Sequence, residues 1–172
     1  MGNYANHLEI QEAGQLDHGQ IEKIQSIYNY YVLHSTATFD IHIPSFASFS
    51  ARMNGIAAKY PFLICMQGTD ICGYAYASEF RSKDAFDKTV ELTIYLHPDM
   101  QSKGIGSLLM STLLQKLKEK DFITAVSVVT QPNEASEKLH RKFGFISVGT
   151  LPNAGVKFGN NQSITFYYLD LS

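Results

Sequence analysis

Tryptophan is absent from this 172-residue chain, and cysteine and proline are scarce, at 2 and 5 residues. Cys65 and Cys72 are too few for a disulfide framework or a four-ligand zinc site. Both sit in apolar runs and read as small buried hydrophobes. No charge of one sign dominates: 14 basic against 16 acidic side chains leave a formal net charge of −2. That balance excludes a broad attractive field for nucleic acid or an anionic membrane, so any anion must be held by a local arrangement. No apolar run reaches the roughly 18 residues a membrane span needs. The opening MGNYANHLEI lacks the charged-then-apolar pattern of a signal peptide. Asn6 stands where a myristoylation pattern requires Ser or Thr. The expected home is the reducing cytoplasm.

What is present is an ordinary globular composition, 45% apolar and 17% charged, with no repeat, low-complexity tract or linker. One domain over residues 1–172 is expected. A strand near Tyr4–Glu12 leads to a helix at about Asp17–Leu33, where Ile21, Ile24, Ile27, Tyr28 and Tyr31 recur at helical spacing behind an Asp17 cap. A second helix, Ser45–Lys59, starts at Ser45 after Pro44. Two strands, Phe62–Gln67 and Ile71–Glu79, flank the hairpin signal Gly68-Thr69-Asp70. After the charged loop Arg81–Lys88 come a strand (Thr89–Leu96), a helix (Gly104–Glu119) and a β-branched strand (Ile123–Thr130). A fourth helix, Glu134–Phe143, is capped by Asn133. Strands at Phe145–Leu151 and Ser163–Leu169 follow, separated by a glycine- and asparagine-rich loop. The order βααβββαβαββ predicts an α/β fold with a mixed sheet and helices on both faces, not a doubly wound one, because the middle strands follow each other without helices.

The most informative stretch is TVELTIYLHPDMQSKGIGS, residues 89–107. An alternating strand runs into a turn with Gly104 and Gly106, and the turn opens a helix whose apolar stripe is Ile105, Leu108, Leu109, Leu113 and Leu117. Free amides at a helix start, together with the positive end of the helix dipole, form a ready phosphate site. Glycine there lets an oxygen approach without meeting a Cβ. Neither the Walker spacing nor the Rossmann spacing is present. An ordinary strand–helix turn that uses glycine only for geometry remains an alternative.

Q-x-x-G-x-G after this strand end resembles the acetyl-CoA pyrophosphate loop of the GNAT acetyltransferases, and NEASEKLHRKFGF resembles their second landmark, an Asn-capped helix ending in Gly-Phe. IYNYYVLHSTATFD, FRSKDAFDKTVELTIYLHPDMQSKGIG and LHRKFGF are similar to the phosphinothricin and methionine-sulfone N-acetyltransferases, from about Ile21 to the end. The resemblance implies a GNAT fold, with a mostly antiparallel sheet of about seven strands flanked by four helices. It implies acetyl-CoA as cofactor and transfer to the amino group of a small amine or amino-acid-like acceptor within a ternary complex. By the same resemblance, Ile94, Tyr95 and Leu96 would hold the pantetheine arm. The pyrophosphate would lie on Ser102, Lys103, Gly104, Ile105, Gly106 and Ser107, with Asn133 as a further cofactor contact. The relatives also suggest a homodimer through the C-terminal strands. A protein or peptide N-acetyltransferase, or a non-catalytic acyl-CoA-binding sensor, stands as the alternative.

Glu91 lies on the opposite face of its strand from Val90, Leu92, Ile94 and Leu96, together with Thr93 and Tyr95. A carboxylate in a central strand is costly unless it is paired or wet, and it often carries a raised pKa and a functional task. It matches the family's catalytic glutamate; an ion pair with Lys88 or Arg81 is the structural alternative. His140 is expected at the edge of a buried stripe of Ala135, Leu139 and Phe143. It stands where many GNAT enzymes place a tyrosine acid, and where the phosphinothricin-type subgroup has histidine; a packing role is equally open. For the acceptor, the resemblance points to Phe39, Arg81, Asp84, Ala85 and Phe86, Arg81 being able to grip a carboxylate in a bidentate fork. The subgroup's Lys-x-Gly-x-Trp-x-Asp becomes Lys157-Phe158-Gly159-Asn160-Asn161-Gln162-Ser163, without Trp or Asp. The remaining histidines show no metal-ligand spacing, and no metal is expected.

Overall fold

The computed structural model describes residues 7–172. Residues 4–6 of the expected first strand lie outside them. In chain order the elements are β1 (Leu8–Glu12), α1 (His18–His34), α2 (Phe46–Ala57), β2 (Phe62–Gln67), β3 (Asp70–Glu79), β4 (Thr89–Leu96), α3 (Ile105–Glu119), β5 (Thr124–Gln131), α4 (Glu134–Lys142), β6 (Ile146–Lys157) and β7 (Asn160–Asp170). Three of the four helices begin where a side chain can satisfy a free amide. Asp17 and Gln20 form a reciprocal capping box on α1. Ser45 caps α2 and Asn133 caps α4.

The seven strands form one sheet in the order β1-β2-β3-β4-β5-β7-β6. Every neighbouring pair is antiparallel except β4–β5. The central strands are apolar on both faces, so the sheet carries two cores. On one face Leu63, Cys65, Ala75, Ala77, Val90 and Leu92 pack under α3; on the other Phe62, Ile64, Tyr74 and Tyr95 pack under α1 and α2. This is the mixed sheet with helices on both faces that the element order predicts, and the mostly antiparallel form that the resemblance implies.

Six residues of α3 are buried: Ile105, Leu109, Met110, Leu113, Leu114 and Leu117. At about 2 kcal/mol for each large side chain removed from water, docking outweighs the ~1 kcal/mol of a typical helix cap. It therefore holds a helix whose own N-cap, Gly104, offers no side-chain bond. Leu108, expected on the buried stripe, is 36% exposed instead. It points away from the sheet, and Met110 and Leu114 complete the seam.

The last two strands differ most from expectation. The glycine- and asparagine-rich stretch is a continuation of both strands into a long hairpin. Its two-residue turn, Phe158-Gly159, has φ of 53° and 74°, the signature of a type I′ turn. Register shifts between Ser147 and Gly149 and between Leu151 and Gly155 absorb the residues that have no cross-strand partner.

Gly73 in β3 faces Leu96, the last residue of β4. A Cβ there would stand 2.7 Å from Leu96 Cδ2 and 2.8 Å from the Tyr95 carbonyl oxygen. The backbone oxygen cannot move cheaply. Gly73→Ala is therefore expected to cost about 1–3 kcal/mol, read as a lowered urea midpoint, and an unchanged midpoint would refute the contact.

Candidate functional site

The parallel ladder between β4 and β5 lasts only three rungs, Thr89↔Thr124, Val90↔Ala125 and Glu91↔Val126. Beyond them the strands part, although β4 stays paired to β3 as far as Leu96 and β5 stays paired to β7 as far as Gln131. A cleft of about 1160 Å³ opens in the gap, lined by Glu91–Leu96 on one side and Ser127–Thr130 on the other. Main-chain groups along both edges face this space instead of a partner strand, and backbone polar groups demand partners. Glu91 lies at the apex. Five residues on, roughly 16 Å along the strand, Leu96 opens onto the glycine turn.

Two left-handed residues shape that turn, Ser102 at φ 60° and Gly104 at φ 81°. Nothing stands within 4 Å of where a Cβ of Gly104 would be. The start of α3 thus has open space beside Gly104 and no side-chain cap on its first amides, an arrangement that suits an anion. Lys142 of α4 adds positive charge there, its Nζ donating to Ser107 Oγ at 2.9 Å. Asn133 caps α4 through its Oδ1, accepting from Ser136 N at 3.1 Å, and also borders the cleft.

Glu91 sits at the apex with no ion pair or side-chain hydrogen bond among the described residues. Burial raises its pKa above the ordinary glutamate value, and the Arg81 charge offsets this in part. His140 is the buried residue of α4, 6% exposed. Its ring stacks on Tyr167 at 5.3 Å and meets Phe145 edge-on at 5.0 Å. Nδ1 lies 2.7 Å from the Ser136 carbonyl oxygen, a distance that places the proton on Nδ1 and leaves Nε2 as the free nitrogen. Desolvation lowers the pKa of the imidazole, and the bond to Ser136 partly counters it.

The loop after α1 also lines the cleft, with Thr36, Ala37, Thr38 and Phe39. It is tied down from several directions. Tyr28 OH bonds both Thr38 Oγ1 and Asp40 Oδ2. Tyr95 OH donates to the Ala37 carbonyl at 3.4 Å. Tyr31 OH donates to the Leu96 carbonyl at 2.7 Å, linking α1 to the end of β4.

Residues 24–145 match the acetyltransferase (GNAT) family. The chain belongs to that family. The L-amino acid N-acyltransferase MnaT of Escherichia coli K12 is 35% identical over 152 residues, 86% of this chain and 87% of that one. An L-methionine sulfoximine/L-methionine sulfone acetyltransferase of Salmonella typhimurium is 33% identical over 159 residues, 90% of this chain and 91% of its own. Among solved structures, a GNAT superfamily phosphinothricin acetyltransferase from Sinorhizobium meliloti in complex with acetyl-CoA superposes with a TM-score of 0.90 at 30% identity, over 96% of this chain and 89% of that one.

Within this GNAT fold the cleft gathers Glu91, His140, Ile94, Tyr95, Leu96, Ser102, Gly104, Gly106, Ser107, Asn133 and Phe39. Two residues of the expected phosphate turn present no side chain to the cleft. Ile105 is wholly buried in the α3 core, and Lys103 reaches back to Met100 Sδ at 3.3 Å. The expected acceptor loop is likewise apart. Asp84–Phe86 form an exposed 3₁₀ turn, and Arg81 donates to its own neighbour's carbonyl, Phe80 O, at 2.7 Å while lying over the Phe80 ring. The expected buried stripe of α4 is rotated: Ala135 is exposed, Leu139 and Phe143 are half-buried, and His140 is the inward residue. Lys88 is exposed, so neither ion pair considered for Glu91 forms among the described residues.

Sequence reasoning missed Lys142 and Ser127, because nothing local in the chain marks them, and it met Lys157 only as the first residue of a motif, with no hint of its burial. Lys157, 2% exposed, reaches the carbonyls of Thr38 at 2.7 Å and Tyr31 at 3.3 Å. Ser127, the first residue of β5 beyond the ladder, buries a hydroxyl with no hydrogen-bond partner. Removing such a group relieves a desolvation cost. Ser127→Ala is accordingly expected to be more stable by about 1 kcal/mol, a melting temperature higher by ~2–4 °C for a chain of this size. A lowered melting temperature would show that the hydroxyl is bonded.

Proposed function

We propose that this chain is an acetyl-CoA-dependent N-acetyltransferase that passes the acetyl group directly, within a ternary complex, to the amino group of a small amino-acid-like acceptor of the phosphinothricin or methionine sulfone/sulfoximine type. The observation that carries this reading is the cleft itself. One end is an anion cradle, the other a half-buried carboxylate, and two open strand edges run between them. Its size, its free main-chain groups and the space at Gly104 suit the length and charge of acetyl-CoA. When bound, that group supplies an acyl carbon already activated as a thioester.

The chain's own contributions follow from the geometry. The open edge of Ile94, Tyr95 and Leu96 offers backbone bonds to the pantetheine arm. The amides from Ser102 to Ser107, including those of Lys103 and Ile105, meet the diphosphate with Lys142 beside them, and Asn133 contributes the amide group that capping leaves free. Glu91 takes the proton of the acceptor ammonium; its raised pKa brings it closer to working pH, where general bases are most effective. His140 exchanges protons at Nε2 alone. Because burial keeps it neutral at rest, it donates toward the leaving thiolate only after receiving a proton. Direct transfer also suits the thiols: both are buried, and Cys65 is pushed up to about 11 by desolvation, which leaves little thiolate for a covalent intermediate. Phe39 borders the acceptor, while Arg81, Asp84, Ala85 and Phe86 serve it from a loop that would have to move inward. On β6, Ile146, Val148, Leu151 and Val156, and Phe158 at the turn that follows, are each more than half exposed. An apolar edge of that kind suits a homodimer.

Glu91→Gln is expected to lower kcat by about 10²–10⁴-fold while leaving acetyl-CoA affinity by calorimetry unchanged. The sign of the pH effect follows from the base having to be ionised. Wild-type kcat/KM should fall as pH drops through the raised Glu91 pKa, above the range of an exposed glutamate, and that acid limb should vanish in the variant. Thiol-release assays with methionine sulfone, phosphinothricin and an N-terminal peptide amine separate the acceptor classes. Wild-type turnover from Glu91→Gln would remove it as the base.

A further inference from the structure

The rim residue Phe39 is not free-standing; it is seated on β6. A Cβ built on Gly155 would lie 2.7 Å from Phe39 Cε2 and 2.9 Å from its Cδ2, so the ring packs flush on the glycine backbone. Two residues on, Lys157 Nζ holds the Thr38 carbonyl at 2.7 Å and the Tyr31 carbonyl at 3.3 Å, anchoring the chain immediately before Phe39. Gly155 is the first residue of β6 paired to β7 after the register shift that follows Leu151. The cleft is also lined by Ile164, which pairs with Leu151 across the same hairpin. Phe39 itself is 37% exposed and borders the cleft. A ring resting on a glycine is positioned by what that position lacks: any side chain at 155 must push it off its seat.

We propose that Gly155, with Lys157 beside it, is a specificity-determining position that sets the acceptor range by fixing the Phe39 ring, without either residue meeting the acceptor. This rests on the reading of the Phe39 end of the cleft as the acceptor end. Gly155 has no left-handed φ, so an alanine there carries no backbone strain, and the three atoms nearest its Cβ all belong to the Phe39 ring. Phe39 is a side chain that can swing, and the substitution therefore acts on the rim more than on the fold.

The test is a double-mutant cycle of Gly155→Ala and Phe39→Leu. Gly155→Ala is expected to change the KM for methionine sulfone and for phosphinothricin several-fold and unequally, with the KM for acetyl-CoA unchanged. In the Phe39→Leu background the same change should have little effect, since the smaller side chain leaves room for the new methyl group. Additive effects, or equal losses for every acceptor and for acetyl-CoA, would overturn the proposal.

A second readout needs no turnover. The chain has no tryptophan, so Phe39→Trp supplies a single indole. Adding Gly155→Ala should shift its emission and increase its quenching by iodide. Identical spectra would overturn the proposal as well. If the wild-type protein acetylates none of the probes, the acceptor reading fails, yet the emission experiment still decides whether Gly155 seats the ring.

Discussion

The arrangement depends on a ladder that stops early. β4 and β5 share three rungs and then separate, while each remains fully paired on its outer side. A parallel pair inside a sheet would ordinarily continue, because every unmet amide or carbonyl costs free energy in a dry interior. Here the separation exposes those groups to a cleft instead of burying them. The sheet thereby gains a long slot with main-chain donors and acceptors on both walls and a carboxylate at its closed end. The packing of α3 on one face and of α1 and α2 on the other holds the slot open, since each core is anchored on strands that stay paired.

Charge is handled on the same local scale. With a net charge of −2 the molecule has no long-range attraction to offer an anion. What it has is one helix start with uncapped amides, two left-handed residues that turn the chain around it, and a lysine brought from another helix to within 2.9 Å of Ser107. At the apex the logic reverses. Glu91 is kept from full solvation and, among the described residues, from any ion pair, and its affinity for a proton rises accordingly. An anion-attracting end and a proton-accepting end, separated along one strand, are both consequences of where β4 begins and ends its free edge.

Much of this was legible in the chain. Asp17, Ser45 and Asn133 announced three helix starts because capping is a contact within three residues. The alternation of Val90, Glu91, Leu92, Thr93 and Ile94 announced which way the carboxylate faces, because a strand's period is local too. The glycines at 104 and 106 marked the cradle. What could not be read depends on elements meeting across the fold. Lys142 reaches Ser107 over 35 residues of sequence, and Lys157 reaches Thr38 over 119. His140 turned inward because Tyr167 and Phe145 receive its ring, which no count along α4 reveals. The stretch from 152 to 162 read as a loop because glycine and asparagine disfavour strands, yet the turn at Phe158-Gly159 and the register shifts use those same residues to keep a long hairpin going. Arg81 and its loop were placed near the acceptor by resemblance, and here they lie outside the cleft.

The seat beneath Phe39 has a consequence for how such a protein can diverge. Where a rim ring rests on bare backbone, the smallest possible change in the strand behind it, a single methyl group, reshapes the opening while every wall residue keeps its identity. Selectivity is then written in a second layer, invisible to a comparison confined to the residues that line the cleft, and lineages can drift apart in diet while their visible pockets stay alike.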